Sequence, residues 1–192
     1  ISLLTILLTY RLAHRYHLGR AAPLAALLVI LDPVLLYQST RIMTETLATF
    51  LVLLSLYGLS RLHDQRHCLN AFTCGILIGL TILCRPTFLA WFVLCTLTIL
   101  IVESHWRKRL LISGSLLLGA ALTLAPWTLR NLRQFQEPIA LTTHGGYTLL
   151  LGNNPIFFKH LQEQSWGTVW SPGEVERFKQ GLLGMHPNGD PT

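Results

Sequence analysis

In an otherwise apolar chain, a few polar side chains have the types and spacing for chemistry: Glu45, Arg85, Arg130 beside Asn131, and Asn153 beside Asn154. The planar fork of arginine gives two parallel charge-assisted hydrogen bonds to a phosphate, so Arg85 and Arg130 are candidates for holding an anionic group. Arginine also anchors helices at a membrane surface with its stem in lipid, and that reading stays open for Arg85. Glu45 is either an acidic group of a site or the complement to the positive end of its own helix. Asp32, with Arg41 nearby in sequence, is a functional candidate if it lies at membrane depth. It is equally a group satisfied by water, by Arg41 or by a backbone amide. Asn153 and Asn154 offer amides suited to a hydroxyl-rich ligand, and Gly145-Gly146 ahead of them permits positive φ and close backbone approach. Read by itself, that stretch is also an ordinary turn-rich loop.

What positions these groups is one apolar run, Leu69 to Val102, broken only by Arg85-Pro86. A single helix across it would exceed the roughly 20 residues that span a bilayer core. It would also place Arg85 near the centre, at a cost of about 2.5–3.5 kcal/mol. Pro86 removes a helical hydrogen bond and disfavours helical geometry at the residue before it. Two spans, 69–84 and 87–102, put Arg85 at a membrane surface instead.

The remaining segments follow from that hairpin. Residues 1–10 read as a truncated span, 21–37 as a second with Asp32-Pro33 near its far end, 46–60 as a third headed by Glu45, and 110–125 as the last, ended by Pro126. Gly114 and Gly119 in the last are small residues that permit close helix approach. The connecting loops at 11–20, 61–67 and 103–109 carry eight Arg or Lys residues, against Arg41, Arg85, Arg130 and Arg133 on the other side. By the positive-inside rule the richer side is cytoplasmic, and Glu45, Arg85 and everything after Pro126 face outward. The expected architecture is an all-α polytopic transmembrane bundle of about six spans over 1–127. A short mixed extracytoplasmic segment follows over 128–192. Trp127 stands where an interfacial anchor is expected, Trp166, Trp170 and Phe178 are dispersed through the later segment, and residues 174–183 carry the pattern of one amphipathic helix.

Composition agrees with the membrane class. The chain is 51% hydrophobic and 12% charged, where a soluble domain carries about 25% charged residues. Its net charge of +6 is scattered between apolar runs and makes no basic face for nucleic acid. Cys68, Cys74, Cys84 and Cys95 form no C-x-x-C pair and read as free thiols. The eight histidines include no H-E-x-x-H, so no metal site and no cofactor is expected. The chain opens inside an apolar run and stops without a cap, so it is expected to be a piece of a longer protein.

The order of motifs resembles a known family. Pro33 with outward Glu45, then Arg85-Pro86 between two spans, Pro126-Trp127 with Arg130-Asn131, and Gly145 followed by Gly152-Asn153-Asn154-Pro155 resemble the polytopic membrane glycosyltransferases of the GT-C class. The nearest branch is that of protein-mannosyltransferase and lipid A aminoarabinose-transferase relatives. The resemblance implies transfer of a sugar from a polyprenyl-phosphate carrier to a protein, lipid or glycan acceptor on the outer face of a bacterial inner membrane. It implies Arg85 and Arg130 as ligands of the carrier phosphate, Glu45 as a second acidic group of the cavity, and Asn153 as a sugar or loop-ordering contact. The family's catalytic base lies in a large outward loop expected upstream of Ile1. The base is therefore unassigned, and these residues alone are expected to be inactive. Two other classes fit the composition: a secondary transporter with Asp32 as proton relay, and a non-catalytic membrane scaffold subunit. The transferase reading predicts that Glu45, Arg85 and Arg130 line one outward cavity.

Overall fold

The break in the longest apolar run falls where the proline demands it. In the computed structural model Arg85 has φ −145° and ψ 113°, the extended geometry imposed on a residue before proline. Residues 1–40, 44–136, 139, 141, 142, 144–165, 167–169, 173 and 175 are described. The chain divides into two compact units, Ile1–Leu141 and Thr142–Thr192. The expected partner Arg41, the aromatics Trp166, Trp170 and Phe178, and nearly all of the helix expected over 174–183 lie outside the described residues.

Every regular element among the described residues is helical. The first unit contains α1 (Ser2–Arg15), α2 (Ala21–Leu31), α3 (Pro33–Ser39), α4 (Thr44–Asp64) and α5 (Cys68–Cys84). It continues through a 3-10 turn (Pro86–Phe88), α6 (Leu89–Val102) and α7 (Trp106–Phe135). The second unit contains α8 (His144–Gly152) and α9 (Pro155–Glu163). By length and composition α4 and α7 can each cross a membrane, and α2 with α3 makes a third candidate, bent by 56° at its break. Helices α5 and α6 are apolar but shorter.

Asp32 explains the bend. Its carboxylate accepts the amides of Val34 at 2.8 Å and Leu35 at 3.0 Å, and Pro33 occupies the first turn of α3. A carboxylate cap followed by proline starts a new helix, since it satisfies amides that have no partner within the helix. Of the two readings of Asp32, the geometry is that of the backbone-satisfied one.

The last span differs from its expected form. Helix α7 does not end at Pro126 but runs through it to Phe135. Proline removes one hydrogen bond and crowds one carbonyl, and a long helix held elsewhere by packing tolerates that loss. At 30 residues, α7 is about 45 Å long, well beyond the hydrocarbon thickness of a bilayer. Arg130 and Asn131 therefore lie on its last turns.

The core is built on α5, which packs chiefly against α7 and then α4. Its buried residues Ala71, Cys74, Gly75, Ile78, Gly79, Thr81 and Ile82 recur mostly at three and four positions and form one stripe. A methyl group built on Gly75 would overlap the carbonyl oxygen of Leu116, and one on Gly119 would overlap that of Phe72. In lipid, where apolar side chains gain little by meeting each other, such backbone approach is a main source of helix association. Gly114 has open space around it, so only Gly119 serves the crossing.

Candidate functional site

Arg85 joins the end of α5 to the start of α4. Its N–H bonds to the Thr81 carbonyl at 2.9 Å and its own carbonyl accepts the Phe88 N–H at 3.1 Å, so the backbone is satisfied and the side chain free to reach across. Its Nη2 donates to the carboxylate of Glu45, in the first turn of α4. The thiol of Cys84 donates to the Thr44 carbonyl at 3.5 Å and closes the same junction. Among the described residues, no other guanidinium nitrogen of Arg85 has a partner.

Glu45 and Arg85 stand on the wall of an open cavity of about 490 Å³, together with Thr5, Thr9, Gln38 and Thr49. A smaller cavity of about 80 Å³ shares Thr5, Val29 and Thr49 with it. The arrangement offers a partly satisfied cation, a carboxylate and several hydroxyls among the apolar side chains Val29, Ala48, Val52, Leu53 and Phe88. Such a set suits a ligand that is anionic at one point and hydroxylated beside it.

The other ion pairs of the first unit, among the described residues, lie at the far end of α4. Arg15 pairs with Asp64, the last residue of that helix, and Arg66 pairs with Glu103 at 2.9 Å. Arg109 donates twice to the Glu103 carbonyl, at 3.0 and 2.7 Å. The Glu103 carboxyl is held below its ordinary value, first by the hydrogen bond from Arg66, against a smaller opposing effect of burial, with the His105 amide and the Arg66 and Lys108 charges adding. Beside this end, α4, α6 and α7 enclose an apolar groove of about 380 Å³.

Arg130 does not join Arg85. It is absent from the wall of the Glu45–Arg85 cavity, and its guanidinium lies over the Trp127 ring, 5.1 Å from the centroid. The geometry is a cation–π contact one helical turn apart. Its neighbour Asn131 is 3% exposed and donates to the Ile139 carbonyl at 3.1 Å. Trp127 Nε1 donates to Leu141 at 3.0 Å. Asn131 is thereby committed to Ile139 and closed to a headgroup, whereas Trp127, which holds Leu141, is 42% exposed. The expected convergence of three residues is thus a convergence of two.

The second unit also corrects a detail. Gly145 and Gly146 lie within α8. The glycines with positive φ among the described residues are Gly19 and Gly167. Asn153 is exposed, its side chain donating to the Leu149 carbonyl at 3.2 Å. The ordering role falls to Asn154, 2% exposed. Asn154 accepts the Phe157 amide at 2.8 Å and donates to Leu150 at 2.7 Å, capping α9 ahead of Pro155. The cap signal, Asn followed by Pro, was present in the sequence. The residues that sequence reasoning missed are Thr5, Thr9 and Thr49, because a threonine inside an apolar helix gives no local sign of which way it faces. The four cysteines are free thiols, Cys74 and Cys95 buried.

Comparison with curated proteins and with solved structures found no match. A family model described as dolichyl-phosphate-mannose-protein mannosyltransferase matches residues 1–129, which span the bundle and the Glu45–Arg85 pair. The chain belongs to that family, of the GT-C type, and is an integral membrane glycosyltransferase.

Proposed function

We propose that the protein transfers a sugar from a polyprenyl-phosphate carrier to an acceptor on the outer face of the membrane, with Arg85 holding the carrier phosphate. Glu45 holds one edge of the guanidinium and so orients the remaining N–H groups toward the anion. As the sugar leaves, negative charge grows on the phosphate, and a fixed cation stabilises it without reorganising. A base, not assigned among these residues, takes the acceptor's proton. The acceptor is a protein, a lipid or a glycan. Exposed Arg130, near the end of α7 and away from the Glu45–Arg85 cavity, serves as a cation for a separate lipid headgroup, and Asn153 as a loop-ordering contact within its own unit.

In this reading α1, α2 with α3, α4, α5, α6 and α7 cross a bacterial inner membrane in alternation, and residues 128–192 follow on the outside. Support comes from the ion pairs at opposite ends of α4, a helix of 21 residues and so about 30 Å long. The Arg85 pair marks one end and the Arg15 and Arg66 pairs the other. The second end carries the arginine-rich connectors, as the positive-inside rule asks of the cytoplasmic side. Asp32, used as a helix cap, leaves the transporter reading without its relay.

The observation that carries the proposal is the partly satisfied Arg85 guanidinium beside Glu45 on a cavity wall. In the full-length protein, Arg85→Ala should abolish sugar transfer while leaving membrane insertion intact. Unchanged transfer would return Arg85 to the class of membrane anchors.

A further inference from the structure

Helix α6 presents one continuous stripe to the apolar groove beside α4 and α7. Trp91, Leu94, Cys95, Thr98, Ile99 and Val102 line it, and their spacing of three and four positions puts them on one helix face. Leu59 and Leu62 of α4 and Ile112 of α7 form the other walls. The main packing partners of α6 are α7 and the 3-10 turn before it, and the groove occupies the space toward α4. From Trp91 to Val102 the stripe covers three turns, about 16 Å. Its edge is open, with Leu94 57% and Val102 52% exposed.

Charge is confined to one end of this groove. Its charged lining residues are Arg66, just past the end of α4, and Glu103, just past the end of α6, with His63 beside them. The two members of that pair are not equally accessible: the Glu103 side chain is 7% exposed and that of Arg66 41%. Arg66 gives one Nη to Glu103, and among the described residues the rest of its fork has no partner. The Lys108 charge also acts on the Glu103 carboxylate, and Arg109 holds the Glu103 carbonyl. The rim therefore gathers three cations around one covered carboxylate, and the charge it shows is positive.

A groove that is apolar for three turns and cationic at one end fits an amphiphile with an anionic head. A helix with its side chains is about 10 Å across, too wide for a space of about 380 Å³ drawn out along three turns. An extended hydrocarbon chain is narrow enough. We propose that this groove binds an anionic phospholipid, one acyl chain lying along α6 toward Trp91 and the phosphodiester resting on Arg66 and Lys108. The lipid comes from the leaflet at that end, the cytoplasmic one in the orientation proposed above, where basic pockets between helices hold acidic headgroups. The site lies at the opposite end of α4 from the Glu45–Arg85 pair and does not depend on what that pair binds.

The test releases the protein from mixed micelles for native mass spectrometry, with phosphatidylglycerol and phosphatidylcholine of the same acyl chains present in equal amounts. One phosphatidylglycerol should be retained about tenfold more than phosphatidylcholine, the order expected of one or two cations facing an anionic head. R66Q/E103Q/K108Q neutralises the rim without stranding a buried carboxylate. It should lose the preference while retaining phosphatidylcholine as the wild type does. T98F/V102F fills the groove, leaves the rim intact, and should retain neither lipid. W106F/W127F/W166F/W170F leaves Trp91 as the only tryptophan of the chain. Phosphatidylglycerol brominated midway along its acyl chains should quench Trp91 at a lower lipid fraction than brominated phosphatidylcholine does. Equal retention of the two lipids overturns the proposal. So does a neutral-rim variant that keeps the preference, a filled groove that keeps the lipid, or equal quenching by both. Dolichyl phosphate should compete weakly; displacement as strong as that by phosphatidylglycerol itself overturns the phospholipid assignment.

Discussion

Glu45 and Arg85 are 40 residues apart in sequence and share a hydrogen-bonded ion pair that links the first turn of α4 to the break between α5 and α6. The arginine side chain is nearly half exposed. The pair therefore contributes little to stability, about 0.2–1 kcal/mol for an exposed pair. Its larger consequence is orientation, because one edge of the guanidinium is occupied and the other is left for a ligand.

Glu45→Gln should raise affinity for dolichyl phosphate several-fold. The carboxylate repels the lipid anion and the neutral amide does not, while the amide oxygen still accepts from the guanidinium and keeps its orientation. Binding measured in nanodiscs decides this; an affinity equal to or below that of the wild-type chain contradicts it. Thermal unfolding of the same variant in detergent should shift little.

Gly119→Ala should destabilise the bundle by roughly 1–3 kcal/mol or more, as overpacking does where neither side can yield. The obstacle is the backbone carbonyl of Phe72, not a movable side chain. Gly114→Ala is the control. It meets nothing within 4 Å and should be neutral or stabilising by about 0.5–1 kcal/mol from helix propensity. Unfolding in detergent should separate the two, and equal behaviour contradicts the close crossing of α5 and α7.

Asp32→Ala should cost about 0.5–2 kcal/mol as a lost helix cap, whereas Asp32→Asn, whose amide oxygen still accepts, should stay close to wild type. Carbohydrate-lipid binding should be the same in both. A loss in the Asn variant as large as in the Ala variant would mean that the charge, and not the cap, matters at this position.

The Arg66–Glu103 clamp predicts a dependence on pH. Because the folded carboxyl is held below its reference value of 4.5, its contribution is present above that value and is lost as pH falls through the folded one. Stability in detergent should therefore decline on acidification below about pH 4.5 in the wild type. Glu103→Gln should show less of that decline and should be less stable at neutral pH. Parallel acid profiles for the two proteins would contradict the clamp.

Several features were legible from local sequence alone. The break at Arg85-Pro86 follows from neighbouring residues, and so does the bend at Asp32-Pro33, although 21–37 was expected as one unbroken span. Proline geometry, capping and helical periodicity act within a turn or two of the chain. The end of α7 was misread for the complementary reason. Pro126 is a local stop signal, but a single missing hydrogen bond does not end a helix that the rest of the bundle supports.

Partner choice was decided by the tertiary structure. Arg85 and Arg130 are equivalent on paper, two arginines on the same expected side, yet one meets Glu45 on a cavity wall and the other lies on Trp127. Gly114 and Gly119 differ only in which one faces Phe72, and Thr5 differs from any other threonine in an apolar helix only by the direction it faces. Amino-acid type sets what a group is able to bind. The rotation and pairing of helices set which groups share a space, and those arise from contacts between segments far apart in the chain, which no local pattern encodes.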